Sequence, residues 1–179
     1  RRHAAAPAHP HAPLRQRRQL WDDGKALPPL PALPGSVEQI PGLRLRKIEG
    51  AKDPLHGLWN RLIGREHPLK RAPLVGAQLR YLIECGADGQ EGYLGAFGFG
   101  PAAYHLECRD AWIGWCEAAR QANRMRVIGL SRFLIRPGLR CSNLASRCYR
   151  LVLDRVGRDW EEAYGVRPLL VETYVDRST

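Results

Sequence analysis

Apolar residues recur along this chain with two periods, and the switching between them predicts a mixed order of strands and helices. Leu55, Leu58, Trp59 and Leu62 lie three and four residues apart, the spacing of one helical face, with Asp53 placed to cap that helix and Gly64 to end it. Leu43 to Ile48 reads as a short strand before it. From Gln78 to Cys85 the period falls to two, Gly86-Ala87-Asp88-Gly89 has turn chemistry, and Tyr93 to Phe99 is again strand-like, so an antiparallel hairpin is predicted. Gly92, Gly95, Gly98 and Gly100 in its second strand suit either close approach of a backbone or ligand, or a weakened edge strand.

Pro101 fits the first turn of a helical region over Ala102 to Asn123, broken near Asp110 or Gly114, with Trp112 and Trp115 in the core. A buried strand follows from Arg126 to Ile135, then a Pro-Gly turn from Arg136 to Arg140. A helix opens at Ser142 or Asn143 and runs to Val156 on a stripe of Leu144, Cys148, Leu151 and Val152. Asp159 and Glu162 are expected to open a further short helix closed by Gly165, and Leu169 to Val175 is the last strand. The order predicts an α/β (α+β) fold on a mixed sheet, with a strand-helix-strand crossover at its end. Residues 1–41, rich in Pro, Ala, His and Arg without periodicity, are expected to be a disordered basic arm, and residues 42–179 one domain.

Charge sharpens this picture. The net charge of +10 and pI near 9.9 fit a nucleic-acid or phosphate partner. Five cysteines without CxxC spacing read as buried, reduced thiols, which with the lack of a signal peptide predicts a cytoplasmic protein. No apolar run approaches the roughly 20 residues of a membrane span, so no membrane partner is expected. His3, His9 and His11 lie in a flexible tail, and no metal site is expected.

Between Glu117 and Asp154 the chain carries eight arginines and no aspartate or glutamate. The run crosses a strand, a turn and a helix start, where main-chain N–H groups and the helix dipole favour anions and guanidinium forks grip phosphate. The candidate phosphate-binding residues are Arg132, Arg136, Arg140, Ser142, Asn143 and Arg147. Arg132 and Arg147 could instead pair inside the fold with Glu172, Asp154 or Glu107. Glu172, with Tyr174 on the same face, is the candidate general base, and it could equally be a structural carboxylate. No Walker loop, nucleophile elbow, zinc spacing or transposase-type carboxylate triad is present, so no complete catalytic constellation is visible.

Five ordered motifs carry a resemblance: Leu74 to Leu82, Arg109 to Trp115, Ser131 to Ile135, Asn143 to Ser146, and Arg167 to Asp176. Over roughly residues 55–177 the chain resembles the Druantia DruA family, a domain of Druantia anti-phage systems that also precedes some insertion-sequence transposases. The resemblance implies a nucleic-acid-associated domain with DNA as partner, working beside other defence-system or transposase domains. Gly129, Leu130 and Gly138 stand where the family usually carries two asparagines and a tryptophan. The family also continues past the Glu-Thr-Tyr-Val-Asp motif, so an incomplete C-terminus is expected. At the level of fold the order is similar to a GNAT-type N-acyltransferase core, which implies the alternative of an acyltransferase using acyl-CoA; a sheet lacking its closing strands gives the further alternative of a non-functional remnant, and otherwise no cofactor is expected.

Overall fold

The computed structural model describes residues 23–69, 74–86 and 91–174. Five strands, β1 (Arg44–Lys47), β2 (Leu79–Cys85), β3 (Gly92–Pro101), β4 (Val127–Ile135) and β5 (Leu170–Thr173), form one sheet in chain order. The first four are antiparallel neighbours, and β4 and β5 run parallel. The predicted mixed α/β class and the β2–β3 hairpin are both present; the turn residues Ala87–Gly89, like Val175, lie outside the described residues.

The sheet has an apolar layer on each face. Helix α1 (His56–Glu66) covers one with Leu58, Trp59, Leu62 and Ile63 against Leu82, Ala96 and Leu134. The Trp59 indole N–H donates to the Phe97 carbonyl at 2.8 Å. Helix α4 (Leu144–Tyr164) covers the other with Leu144, Cys148, Val152, Val156 and Trp160 against Tyr81, Ile83, Phe97, Phe99 and Ile128. Two short helices, α2 (Glu107–Ile113) and α3 (Glu117–Asn123), bridge β3 and β4 and are separated at Gly114, whose φ of 78° suits glycine. A bulge pairs Gly98 with Arg132 and Phe99 with Leu130, so Ser131 is the extra residue on β4.

Several boundaries differ from the sequence reading. Pro101 ends β3 instead of opening a helix. Asp53 accepts N–H bonds from Glu49 and Leu55, organising the approach to α1, and the helix continues through Gly64 to Glu66. There is no separate helix at Asp159: α4 runs unbroken to Gly165, because Asp159 is a buried acceptor for Tyr81 Oη at 2.7 Å and Arg155 Nε at 2.9 Å instead of a cap. Trp112 is 77% exposed, off the core. Cys85 and Cys148 are buried, whereas Cys108 and Cys116 are exposed; burial pushes the Cys148 thiol up to about 12.

The ordered chain also begins before Leu43. Asp23 pairs with Arg61 at 2.6 Å, Val37 and Ile40 are buried against the sheet, and Ser36 bridges Ser142. Residues 1–22 lie outside the described residues. Proline fixes φ and removes a donor, so a strap like this lies down on a domain without the apolar periodicity of a helix or strand.

β3 is a central strand, and Gly95 and Gly98 serve close approach: a Cβ on Gly95 would fall 1.9 Å from the Leu134 carbonyl oxygen, and one on Gly98 would fall 2.9 Å from the Trp59 ring. The edge-strand alternative is thereby set aside. No helix among the described residues is long and apolar enough to cross a membrane.

Candidate phosphate site

The arginine run separates into buried and exposed members once folded. Arg136 follows β4 and is 4% exposed. Its Nε and Nη2 form a fork on the Glu66 carboxylate at 2.9 and 3.1 Å, and Nη1 reaches the Pro28 carbonyl at 2.9 Å. It clamps the strap, the end of α1 and the β3–β4 ladder together, and is not available to a phosphate. Arg132 is also buried, on the α1 face of the sheet, with Nη1 on the Ser131 carbonyl. Burial lowers its pKa, and its charge helps hold neighbouring His67 below the usual histidine range, after burial of that ring. These two residues therefore leave the candidate site. Arg120 is buried as well, bonded to Glu117 and to the Tyr104 carbonyl.

Four candidates come together at the start of α4. Gly138, at φ 93°, turns the chain after β4. Ser142 N–H donates to the Gly35 carbonyl at 3.1 Å, pinning the approach to the strap. Asn143 is the only non-glycine described residue at positive φ, 61°, and it precedes α4 without any side-chain cap bond. Asparagine tolerates this left-handed conformation better than most residues, and the first-turn N–H groups of α4 are left without a side-chain acceptor. Arg140, Ser142, Asn143 and Arg147 are all exposed, as is Arg150 one helical turn on. Glu38 lies near enough to feel Arg147: its carboxyl is held low first by the Ser36 hydroxyl and, among weaker causes, by the Arg147 charge. The arrangement is an uncapped helix end beside exposed guanidinium groups, and it can receive an anion.

Glu172 stands elsewhere, on β5. Its carboxylate accepts from Ala103 N–H at 2.9 Å, Arg109 Nη1 at 3.1 Å and Tyr174 Oη at 3.3 Å. Arg109 is buried and also bonded to Asp110. A carboxylate engaged on three sides anchors the β3–α2 loop to β5, which fits the structural alternative and leaves it poorly placed as an open base. Among the described residues no group of three or more His, Cys, Asp or Glu side chains could hold a metal; His3, His9 and His11 lie outside them.

The sequence reading missed a second cluster. Arg80 on β2, Gly98 on β3 and Arg132 on β4 are in register across three strands, with Trp59 over the middle position. The one visible signal is a charged residue inside the apolar alternation of β2. Strand register, which aligns it with Arg132, is not written in local sequence.

A family model described as Druantia protein DruA matches residues 2–178, extending the resemblance through the strap and the segment before it. No curated protein and no solved structure matches the chain.

Proposed function

This chain belongs to the DruA family of the Druantia anti-phage systems, and from that premise we propose that it serves there as a nucleic-acid-binding component. Arg140 and Arg147 grip backbone phosphates, at a helix start that no side chain caps. The observation that carries the reading is the uncapped start of a 21-residue helix flanked by exposed arginines. Contacts of this kind read backbone charge and not base sequence. An exposed phosphate contact is worth about 0.7 kcal/mol, so removing two costs about tenfold in affinity. The Arg140→Ala/Arg147→Ala protein is accordingly expected to bind a 20-base-pair duplex about tenfold more weakly at low salt, by fluorescence anisotropy. Unchanged affinity would sink the reading.

A second reading, acyl-CoA binding, draws on a different observation. β4 extends to Ile135, but its register with β5 ends at Leu130–Thr173 among the described residues. Among the described residues the later half of β4 is paired with β3 and approaches the start of α4, and an amide-bearing arm could add its own main-chain-like bonds there, with its phosphates at Arg140. Calorimetry with acetyl-CoA should then give heat that is lost in Arg140→Ala; no heat in the parent protein excludes it.

A further inference from the structure

Arg80 is a partly desolvated cation that no carboxylate pairs among the described residues. It points from β2 into the space beside α1, its guanidinium carbon 4.7 Å from the centroid of the Trp59 ring. Nη1 bonds His56 Nε2 and Nη2 donates to Gln78 Oε1 at 2.7 Å. Nε is buried without a partner, and among the described residues no carboxylate pairs with it. Among the described residues only two of the guanidinium's five N–H donors are thus bonded. Burying a charge with no opposite partner is costly, and stacking on Trp59 with two edge bonds fixes the fork in one orientation. The residue is half-buried and lines a cleft of about 330 Å³, together with Lys47, His56, Gln78 and Tyr164. Tyr164, at the end of α4, bonds the Gln78 main chain through its hydroxyl and so holds this wall.

The other charges around the cleft largely cancel. Lys47 Nζ pairs with Glu49 at 3.3 Å, and the Asp53 carboxylate, which faces His56 and Arg46, is engaged by two main-chain N–H groups. Arg80 remains as the excess positive charge. His56 is neutral at rest, because burial, then the Arg80 charge, push its pKa below the usual value against a smaller opposing pull from Asp53.

We propose that this cleft binds a phosphate dianion, free or as a monoester, gripped by the remaining donors of Arg80 beside the His56 ring, whose nitrogens face Arg80 and Asn60. A guanidinium fork with unused donors beside a titratable ring suits a phosphate, whose second proton comes off near neutral pH. The site is separate from the start of α4: Tyr164 closes the opposite end of that 21-residue helix, about 30 Å away at 1.5 Å per residue.

The test uses the full chain carrying Arg140→Ala and Arg147→Ala, so that the helix-end site is silent whatever its own fate. Inorganic phosphate is titrated and followed by NMR, with chloride at equal ionic strength as control. Saturable binding is expected, and the His56 pKa should rise, since the bound anion offsets the Arg80 charge. Adding Arg80→Gln should weaken binding at least about tenfold, the scale of a lost charge-assisted fork. Adenosine monophosphate should compete: equal affinity assigns free phosphate as the ligand, and tighter binding assigns a nucleotide. The proposal is overturned if phosphate does not saturate the protein, if Arg80→Gln binds it as the parent does, or if the His56 titration is unmoved at saturation. Should Arg80→Gln not fold, the His56 titration of the parent decides.

Discussion

Replacing Arg136 with alanine is expected to lower the melting temperature by about 10 °C or more, the largest effect of any substitution in the arginine run. The side chain is 4% exposed and bonded on all sides, to the Glu66 carboxylate by two nitrogens and to the Pro28 carbonyl by a third. Removing it leaves Glu66, whose side chain is 18% exposed, as a charge without its partner. Breaking a buried pair in this way costs about 3–5 kcal/mol, a large share of the roughly 5–15 kcal/mol that holds a domain together. A shift of about 2–4 °C per kcal/mol is usual at this size. The measurement is a thermal melt by circular dichroism. Replacing both partners with apolar residues, Arg136→Met with Glu66→Met, should recover most of the loss, because no charge is then stranded. A melting point within about 2 °C of the parent in Arg136→Ala would show that the clamp contributes little and that the strap is held by its apolar contacts alone.

Gly95→Ala is expected to be similarly severe for a different reason. Gly95 sits mid-way along the central strand, opposite Ile83 on one side and Ile135 on the other. A methyl group there would overlap the Leu134 carbonyl, at 1.9 Å from its oxygen and 2.9 Å from its carbon. The obstacle is main chain, which no rotamer change relieves, so the β3–β4 ladder must separate locally. Overpacking of side chains alone costs about 1–3 kcal/mol, and loss of ladder hydrogen bonds adds about 1 kcal/mol each, giving about 3 kcal/mol or more. Gly100→Ala is the internal control. Its methyl would meet only Ser131 Oγ at 3.8 Å and Ala77 O at 3.9 Å, ordinary contacts, and its stability should stay within about 1 kcal/mol of the parent. Urea unfolding of the two variants decides; equal losses would mean that β3 can shift to admit a side chain.

Those two residues also mark what the sequence could convey. Alternation from Gln78 to Phe99 was enough to place the hairpin, since strand period and turn chemistry are local properties. The apolar stripe of α4 is legible to Val152, but its last turns resemble the start of a new helix, because an acidic residue looks the same whether it caps a helix or, like Asp159, accepts a bond from a strand behind it. The site was half legible for the same reason. A run of arginines without local acids leaves open which of its members pair inside the fold, and Arg136 finds Glu66, 70 residues away in the chain. Long-range pairing decides which guanidinium groups face solvent. Arg80 escaped notice because its significance lies in what the sheet register sets beside it, not in its neighbours along the strand.

The division of the arginines into clamps and exposed groups is the centre of this account, and salt dependence tests it most directly. Each duplex phosphate neutralised contributes about 0.9 to the slope of log affinity against log salt. Losing Arg140 and Arg147 together should therefore reduce that slope by about 1.8, while Arg136→Met with Glu66→Met leaves it unchanged. The contradicting result is a slope that survives Arg140→Ala/Arg147→Ala intact and falls when Arg136 is replaced in a protein that remains folded.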